Sequence, residues 1–285
     1  MKTFTTVAAL QEAVAAAKRE NKTIGLVPTM GALHEGHLSL IHKAKSMCDV
    51  VVVSVFVNPI QFNNKEDLEK YPRTVEADLE KLESANTDMV LLPSVEEMYP
   101  KDFVARKWHF GQIEEVMEGP QRPGHFAGVA TVVCRLFEIV MPQKAFFGEK
   151  DFQQIAIIKE MLRQVQYPIE IVPCPIVRAE NGLAKSSRNM RLSAEALEFA
   201  PNIYATLKKA VEMSEQKPVA EVKQWVVDTL SNMDSGKADM KFEPEYFEIV
   251  DDTTLQPVEN WNGAVVGCIT VWLTGVRLID MIRFR

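Results

Sequence analysis

Residues 50–57 of this chain read Val-Val-Val-Val-Ser-Val-Phe-Val, an almost continuously apolar run that is rich in valine. A run of this kind is typical of a strand that is buried on both faces of a parallel sheet. Residues 23–27, Thr-Ile-Gly-Leu-Val, form a shorter apolar run that ends at Pro28 and predicts an earlier strand. The residues between the two runs include an apolar pattern with helical spacing. Strand, helix and strand in this order predict the βαβ unit of an α/β protein.

Helical and strand-like segments continue to alternate after this unit, with short links between them. The alternation predicts a Rossmann-like parallel sheet with flanking helices and right-handed crossovers. The predicted helices are 8–19, 36–47, 75–82, 130–140 and 152–165, and the predicted strands are 23–27, 50–57, 89–92, 145–147 and 169–172. In such sheets, ligands bind beyond the carboxyl ends of the strands.

The pattern changes at residues 179–182, Ala-Glu-Asn-Gly, which form a polar turn signal. Beyond it we predict helices at 194–214 and 219–232, followed by strands at 246–250, 264–273 and 276–282. The chain is therefore expected to form two domains. Residues 1–178 would form the Rossmann-like domain, and residues 179–285 a smaller α+β domain at the C-terminus.

The composition is that of a soluble globular protein. Hydrophobic residues make up 47% of the chain and charged residues 25%, which is enough to build a core. The formal net charge of −7 argues against a broad nucleic-acid or membrane-binding surface. A few local cations can still bind a small anion inside an acidic protein. We expect neither a nucleic-acid nor a membrane partner.

Cysteine usage and the N-terminal residues indicate a cytoplasmic protein. The four cysteines are Cys48, Cys134, Cys174 and Cys268. They are far apart in sequence and form no C-x-x-C pair, so we expect them to be reduced and buried. The N-terminus lacks the apolar core of a signal peptide, and no apolar stretch approaches the length of a membrane span.

Residues 28–37 follow the first predicted strand and read Pro-Thr-Met-Gly-Ala-Leu-His-Glu-Gly-His. Gly31 and Gly36 are spaced as in a Walker A loop, but His37 stands where that motif requires lysine. His34 and His37 are three residues apart, whereas a helical zinc motif requires four, so we expect no protein-held metal. Glycines and a helix N-terminus suit a phosphate-binding loop. A helix-capping loop with two exposed histidines is the alternative that this segment alone leaves open.

Three further polar segments follow predicted strands or the domain boundary. Asn58–Phe62 offers amides that can bind hydroxyls or a carboxylate, although Asn-Pro is also an ordinary turn. In Gly148–Gln154, Lys150 can neutralise a phosphate, whereas Asp151 can also be a helix cap. Lys185–Asn189 combines cations and hydroxyls that suit a polyphosphate, and a solvated loop is its alternative. Together these donors suit nucleotide chemistry.

The segment at 28–37 resembles the H-x-G-H signature of the nucleotidylyl transferase superfamily, which class I aminoacyl-tRNA synthetases share. A longer set of segments resembles the pantothenate synthetase family, in that family's order and over essentially the whole chain. These segments are 56–62, 71–74, 122–126, 147–151, 186–189 and 277–280. The resemblance implies ATP-dependent condensation of (R)-pantoate with β-alanine through a pantoyl adenylate, with release of AMP and pyrophosphate.

The resemblance also implies roles for individual residues. His37 would be the proton donor, and the catalytic set would be His34, His37, Lys150 and Arg188. The residues that contact ATP would be Met30, His34, His37, Gly148, Lys150, Asp151, Val177, Lys185, Ser186, Ser187 and Arg188. Pantoate or β-alanine would be held by Gln61, Gln154 and Asn58. At Lys185 the family often carries Met or Leu, so this chain adds a positive charge.

Further implications concern the metal, the domains and the oligomer. Mg²⁺ would be bound through the phosphates, with Asp78 as a possible outer contributor. Residues 1–178 would bind nucleotide and pantoate, and the Ser-Ser-Arg phosphate loop would open the smaller domain. A homodimer through the larger domain is implied. Residues 122–126, which contain glycine and proline, are predicted to be a flexible flap near the site.

Two alternative functions stay open. The first is a nucleotidyl transferase that acts on another small acceptor. The second is a non-catalytic regulator that binds nucleotide, which would be expected to lack one or more of the four catalytic residues. This chain carries all four, His34, His37, Lys150 and Arg188. A tRNA partner is not expected because the chain is acidic and has no anticodon-binding appendage.

Overall fold

A parallel sheet forms around the valine run. The computed structural model describes residues 1–237 and 239–285. In chain order, strands β1 to β6 of this sheet are Lys2–Phe4, Ile24–Thr29, Val50–Val55, Met89–Leu91, Lys144–Gly148 and Glu170–Cys174. Across the sheet their order is β1-β4-β3-β2-β5-β6, with every neighbouring pair parallel. Each position of β3 is buried, as expected for a strand covered on both faces.

Helices flank this sheet. In chain order, helices α1 to α8 are Val7–Arg19, Glu35–Lys45, Lys65–Glu69, Val75–Ser84, Val95–Met98, Glu118–Gln121, His125–Val140 and Phe152–Val165. On one side of the sheet, Leu40 and Ile41 of α2 pack with Val51, Val53 and other buried residues in one hydrophobic cluster. No helix within residues 1–237 and 239–285 has both the length and the apolar character needed to cross a bilayer.

Strand β2 lies at the point where the strand order changes direction. It pairs with β3 on one side, through Leu26 and Val52, and with β5 on the other, through Leu26 and Ala145. The chain proceeds from β2 to β3 and β4, and later returns to β5 and β6. Ligands of open parallel sheets bind outside such a switch point, at the carboxyl ends of the strands. The loop that contains the H-E-G-H residues begins at residue 30, directly after β2 ends at Thr29.

A second, antiparallel sheet forms near the C-terminus. Its strands β7, β8 and β9 are Phe242–Asp251, Val265–Leu273 and Val276–Arg283, with β8 in the middle. Helices α9 to α11 are Ala194–Phe199, Asn202–Met213 and Val219–Ser231. Apolar residues of these helices and strands share one hydrophobic cluster, which is separate from the core of the parallel sheet. The predicted single helix at 194–214 is two helices, because Pro201 interrupts it.

The chain divides into two compact units that are not continuous in sequence. One contains Met1–Phe110, Arg122–Gly148 and Gln154–Pro175, and the other contains Gly111–Gln121, Glu149–Gln153 and Ile176–Arg285. The predicted boundary after residue 178 lies close to the last of these transitions. The two short earlier segments, however, group with the C-terminal sheet.

Hydrogen bonds within the second unit explain why these short segments belong to it. The Glu118 carboxylate accepts hydrogen bonds from both terminal nitrogens of Arg277 in β9, at 2.7 and 2.8 Å. Gln153 donates from Nε2 to the carbonyl oxygens of Ile113 and Val116, both at 2.8 Å. Its Oε1 accepts from the backbone N–H of Glu118 at 3.0 Å. These contacts join residues that are far apart in sequence.

The flap predicted at residues 122–126 is only partly a loop. Helix α7 begins at His125, and both His125 and Phe126 are buried, with exposed fractions of 6% and 4%. The prediction was wrong for these two residues because α7 is buried on nearly all sides. A helix of that kind has no apolar stripe that would mark its first turn.

Candidate active site

The H-E-G-H loop, residues 30–37, leads from β2 into α2 through a sharp turn. Gly31 (φ +81°) and Ala32 (φ +49°) both have left-handed backbone angles. A left-handed conformation costs an alanine about 1–2 kcal/mol, so other contacts must hold Ala32 there. The carboxylate of Asp78 in α4 accepts hydrogen bonds from the backbone N–H groups of Ala32 (2.9 Å) and Leu33 (2.7 Å).

Helix α4 is thus the support of the loop. Asp78 is only 1% exposed, and its carboxylate also accepts a hydrogen bond from the Thr74 hydroxyl at 3.2 Å. Lys81, one turn further along α4, donates to the carbonyl oxygen of Leu33 at 2.6 Å. The family resemblance gives Asp78 only as a possible outer contributor to metal binding. The structure instead binds both of its carboxylate oxygens to the loop backbone.

The two histidines of the loop lie together at the start of α2. The Nδ1 atom of His34 accepts a hydrogen bond from the backbone N–H of Gly36 at 3.1 Å, and that of His37 accepts from the backbone N–H of His34 at 3.3 Å. Their ring centroids are 4.1 Å apart. Because each Nδ1 is an acceptor, the proton of each neutral ring is on Nε2. Each histidine therefore caps the helix through Nδ1 and can donate to a phosphate through Nε2.

A buried cluster of amides follows β3. Asn58 is completely buried, and its Nδ2 donates to Gln61 Oε1 at 3.0 Å and to the carbonyl oxygen of Gly128 at 3.2 Å. The Tyr99 hydroxyl donates to Asn58 Oδ1 at 2.8 Å, and burial raises the pKa of Tyr99, which keeps it a donor. Gln61 in turn directs Nε2 at the sulfur of Met30, 3.1 Å away. Asn58 thus orients Gln61.

The backbone of Gln61 is held by α7. His125 Nδ1 donates to the Gln61 carbonyl oxygen at 2.9 Å, because Arg122 donates to His125 Nε2 at 2.9 Å and makes that nitrogen the acceptor. Gly128 lies against the same turn, where a Cβ would come within 2.6 Å of Gln61 Cα and of the Ile60 carbonyl oxygen. His125 is therefore a buried support of Gln61 and not an exposed loop residue.

The second unit contains most of the predicted cationic residues. Lys150, whose side chain is 17% exposed, lies 3.2 Å from the Asp151 carboxylate. The backbone N–H of Lys185 donates to the Val177 carbonyl oxygen at 2.9 Å, so these two predicted ATP contacts are neighbours. Ser186 accepts a hydrogen bond through its hydroxyl from the backbone N–H of Arg188 at 3.3 Å and thereby caps a 3₁₀ turn at Ser187–Arg191.

The predicted site residues divide between the two units. The first unit contains Met30, His34, His37, Asn58, Gln61, Gly148 and Gln154, and the second contains Lys150, Asp151, Val177, Lys185, Ser186, Ser187 and Arg188. Gly148 is the last residue of β5, and Gln154 is half-buried in the first turn of α8. Within the first unit, the side chain of Gln61 contacts those of both Met30 and Asn58.

The sequence model of the pantoate-beta-alanine ligase family matches residues 2–283. This chain belongs to that family. The ligase from Porphyromonas gingivalis, a pantothenate synthetase, is 51% identical over 287 residues that cover all of both chains. The pantothenate synthetase of Phocaeicola vulgatus is 52% identical over 288 residues, again with complete coverage of both.

Solved structures of this ligase family have the same fold. The crystal structure of pantothenate synthetase from Thermus thermophilus has a TM-score of 0.91 at 42% identity, covering 100% of this chain and 99% of that one. The pantoate-beta-alanine ligase from Francisella tularensis, solved with beta-gamma ATP and beta-alanine, has a TM-score of 0.82 at 33% identity. That comparison covers 100% of this chain and 98% of the other.

Sequence reasoning missed the residues that support the ligase loop and the amide cluster. Asp78, Tyr99 and Gly128 all act on segments far from them in sequence, and none belongs to a polar run after a strand. The one local signal is the Thr74–Asp78 spacing of four on a helix, which places both side chains on one face. In the part of the chain that the structure describes, no group of three or more His, Cys, Asp or Glu side chains is placed to hold a metal ion.

Proposed function

We propose that this protein joins (R)-pantoate to β-alanine in an ATP-dependent reaction that proceeds through a pantoyl adenylate. The observation that carries the proposal is the contact between Gln61 and Met30 at 3.1 Å. It sets an amide that suits a hydroxy acid directly beside a loop that suits phosphates. The full-length family match and the ATP and β-alanine bound to the Francisella tularensis relative support the same reaction.

In the first step, a carboxylate oxygen of pantoate attacks the α-phosphorus of ATP, and the bond from that phosphorus to the bridging oxygen breaks. Pyrophosphate leaves with the electron pair. We assign His34 and His37 to donate from Nε2 to phosphate oxygens, with His37 as the proton donor. Such donors stabilise charge that develops in the transition state. Lys150 and Arg188 would neutralise the departing pyrophosphate.

The remaining nucleotide contacts complete this assignment. Ser186, Ser187 and Lys185 would bind the triphosphate beside Arg188. Met30, Gly148, Asp151 and Val177 would line the nucleotide site. Mg²⁺ is proposed to arrive on the phosphates of ATP, where it would offset their negative charge. Hard oxygen ligands of this kind suit Mg²⁺ without a cage of protein carboxylates.

In the second step, the neutral amine of β-alanine attacks the acyl carbon of the adenylate. The C–N bond forms, the bond from the acyl carbon to the phosphate oxygen breaks, AMP leaves and the nitrogen loses a proton. We assign Gln61 and Gln154 to hold pantoate by its hydroxyl and carboxylate oxygens. Asn58 acts with them by fixing the side chain of Gln61, to which it donates at 3.0 Å.

We further propose a homodimer formed through the larger domain, and a cytoplasmic location. The dimer rests on the family resemblance, and analytical ultracentrifugation of the full chain tests it. The location is supported by four buried cysteines that form no disulfide, which is typical of a reducing compartment. The domain roles also remain proposals: nucleotide and pantoate binding for residues 1–178, and the Ser-Ser-Arg phosphate loop for residues 179–285.

The decisive experiment is mass-spectrometric detection of products from ATP, pantoate and β-alanine. Pantothenate and AMP should form together, and neither should form when pantoate is omitted. Exchange of labelled pyrophosphate into ATP that depends on pantoate would identify the adenylate. Exchange that ignores pantoate but requires a phosphorylated acceptor would favour a nucleotidyl transferase. ATP binding without turnover of any kind would favour a non-catalytic regulator.

A further inference from the structure

One hairpin in the second unit joins two of its proposed nucleotide-contacting segments, Val177 and the loop that begins at Lys185. Val177 is at one end and Lys185 at the other, joined by the Lys185 N–H to Val177 carbonyl hydrogen bond at 2.9 Å. Within the hairpin, Ala179 N–H donates to the Leu183 carbonyl oxygen at 2.8 Å. The turn depends on Gly182, whose φ is +95°. Any shift of the hairpin therefore moves Val177 and the phosphate loop together.

A single arginine ties this hairpin to the C-terminal sheet. Arg178 donates from both terminal nitrogens to the two carboxylate oxygens of Asp280 in β9, at 2.6 and 2.8 Å. The same nitrogens reach the carbonyl oxygens of Gly182 at 3.2 Å and Met281 at 3.3 Å. The side chains of Arg178 and Asp280 are 16% and 5% exposed. A paired fork of this kind fixes orientation as well as distance.

Tyr204 of α10 holds the guanidinium from a third direction. The central carbon of the Arg178 guanidinium lies 3.6 Å from the Tyr204 ring centroid. The same ring packs on the hairpin turn, because a Cβ on Gly182 would come within 2.9 Å of Tyr204 Cδ1. The guanidinium is thus bound along its edge by a carboxylate and carbonyls and on a face by an aromatic ring. Its donors are used inside the protein, in contrast to the phosphate role proposed for Arg188.

The far end of the hairpin is tied to the phosphate loop by a side-chain amide. Asn189 Nδ2 donates to the Ala184 carbonyl oxygen at 3.0 Å, and Ala184 forms a backbone bridge with Arg178. The Ser187–Arg191 turn therefore follows the position of the residue opposite Arg178. A displacement at the Arg178–Asp280 pair is transmitted to Ser186, Ser187 and Arg188 through one strand of the hairpin.

We propose that Arg178 and Asp280 are positioning residues for ATP, which set the hairpin so that Val177 and the Ser186–Arg188 loop meet the nucleotide together. This inference rests on the proposed function for its choice of ligand. It predicts that damage to the pair weakens ATP binding and slows adenylation, while pantoate binding and amine attack on a preformed adenylate are retained. Misplacement of binding groups by about 1 Å is enough to cost up to about 100-fold in rate.

The test compares Arg178→Lys and Asp280→Asn with wild type in the full-length chain. Arg178→Lys keeps the charge but loses the fork and the stacking on Tyr204, and Asp280→Asn keeps the shape but loses the charge. The matched control is Lys223→Gln, which removes another ion pair, Lys223 to Glu248 at 2.7 Å, that joins a helix to the same sheet. ATP affinity is measured by calorimetry, and KM is measured separately for ATP and pantoate.

We expect both hairpin variants to lose about 10-fold or more in ATP affinity, with KM for pantoate unchanged and the control like wild type. Native near-UV circular dichroism with unchanged ATP affinity would overturn the proposal, as would equal rises in both KM values. Failure of both variants to fold would also overturn it, in favour of a purely structural pair. Wild-type protein that binds ATP but makes no pantothenate would contradict the proposed function and leave the affinity comparison valid.

Discussion

Gly128 lies so close to Gln61 that a Cβ on the glycine would come within 2.6 Å of the Gln61 Cα atom. The carbonyl oxygen of Gly128 also accepts a hydrogen bond from Asn58, the residue that orients the Gln61 amide. Helix α7 thus acts on the backbone of Gln61 and, through Asn58, on the side chain assigned to pantoate. The absence of a side chain at residue 128 is what allows this approach.

Gly128→Ala should raise KM for pantoate by more than KM for ATP. The added methyl group pushes away the turn that carries Gln61, and overpacking of this kind costs about 1–3 kcal/mol of stability. Steady-state kinetics and thermal unfolding check both effects. Ala127→Ser, at the preceding exposed position, is the control. Equal changes in the two KM values would show general damage to the fold.

Asp78→Asn should disorder the H-E-G-H loop, residues 30–37. An amide has one acceptor oxygen, so one of the backbone N–H groups of Ala32 and Leu33 would face an NH₂ group. The substitution removes a charge-assisted hydrogen bond and leaves a backbone donor unsatisfied. We therefore expect about 1.5–3 kcal/mol of destabilisation and weaker ATP binding. Chemical denaturation and calorimetry measure the two quantities. Glu76→Gln, an exposed position on the same helix, should behave like wild type.

His37→Ala should slow pyrophosphate release in single turnovers by about two to four orders of magnitude. Part of that loss would be structural, because His37 Nδ1 accepts from the backbone N–H of His34. His37→Asn supplies a side-chain oxygen that can accept the same hydrogen bond but has no imidazole. If His37→Asn releases pyrophosphate at close to the wild-type rate, the assigned donor role is wrong.

The native protein should react very slowly with thiol reagents. Burial raises the pKa of Cys134 to about 11 and that of Cys268 to about 12. At pH 8 a thiol with a pKa of 11 is only about 0.1% thiolate, the form that reacts. Labelling with a disulfide reagent at pH 8, with and without guanidinium, measures this. All four cysteines should react after unfolding, and rapid native labelling would contradict their burial.

The same shifts give stability a direction with pH. In the unfolded chain these thiols ionise near pH 9, whereas in the folded protein they stay neutral above that pH. The folded state therefore keeps protons that the unfolded state loses, so this contribution is full below pH 9 and decreases as pH rises toward 11 and 12. The denaturant concentration at the unfolding midpoint should decrease as the pH is raised from 8 to 10. The decrease should be smaller in Cys268→Ala.

Much of the parallel sheet could be predicted because its strands carry their own signal. The valine run became β3, and the helix predicted at 152–165 has the same ends in the structure. Strand β1, Lys2–Phe4, was not predicted, because three residues with polar neighbours carry no pattern. It exists through pairing with β4, Thr3 opposite Val90, which only the folded chain brings together.

For the candidate site, sequence predicted which residues gather after the strands but not what holds them. The polar run at 58–62 pointed to Gln61, yet the support from His125, Tyr99 and Gly128 depends on contacts made across the fold. The role of Asn58 is another case, since its type suited a ligand while its complete burial suits the orientation of Gln61. Residue type indicates which groups a side chain can bind, whereas burial in the fold decides which group it contacts.

The pairing of Glu118 with Arg277 has a consequence for how the protein is made. The two residues are 159 positions apart, so Glu118 is synthesised well before Arg277. Until β9 is synthesised, the Glu118 carboxylate cannot accept the hydrogen bonds that Arg277 donates in the folded protein. The parallel sheet of the first unit can be assembled earlier, from residues 1–110, 122–148 and 154–175. A nascent chain halted before residue 277 should therefore expose this segment to proteases while the parallel sheet already resists them.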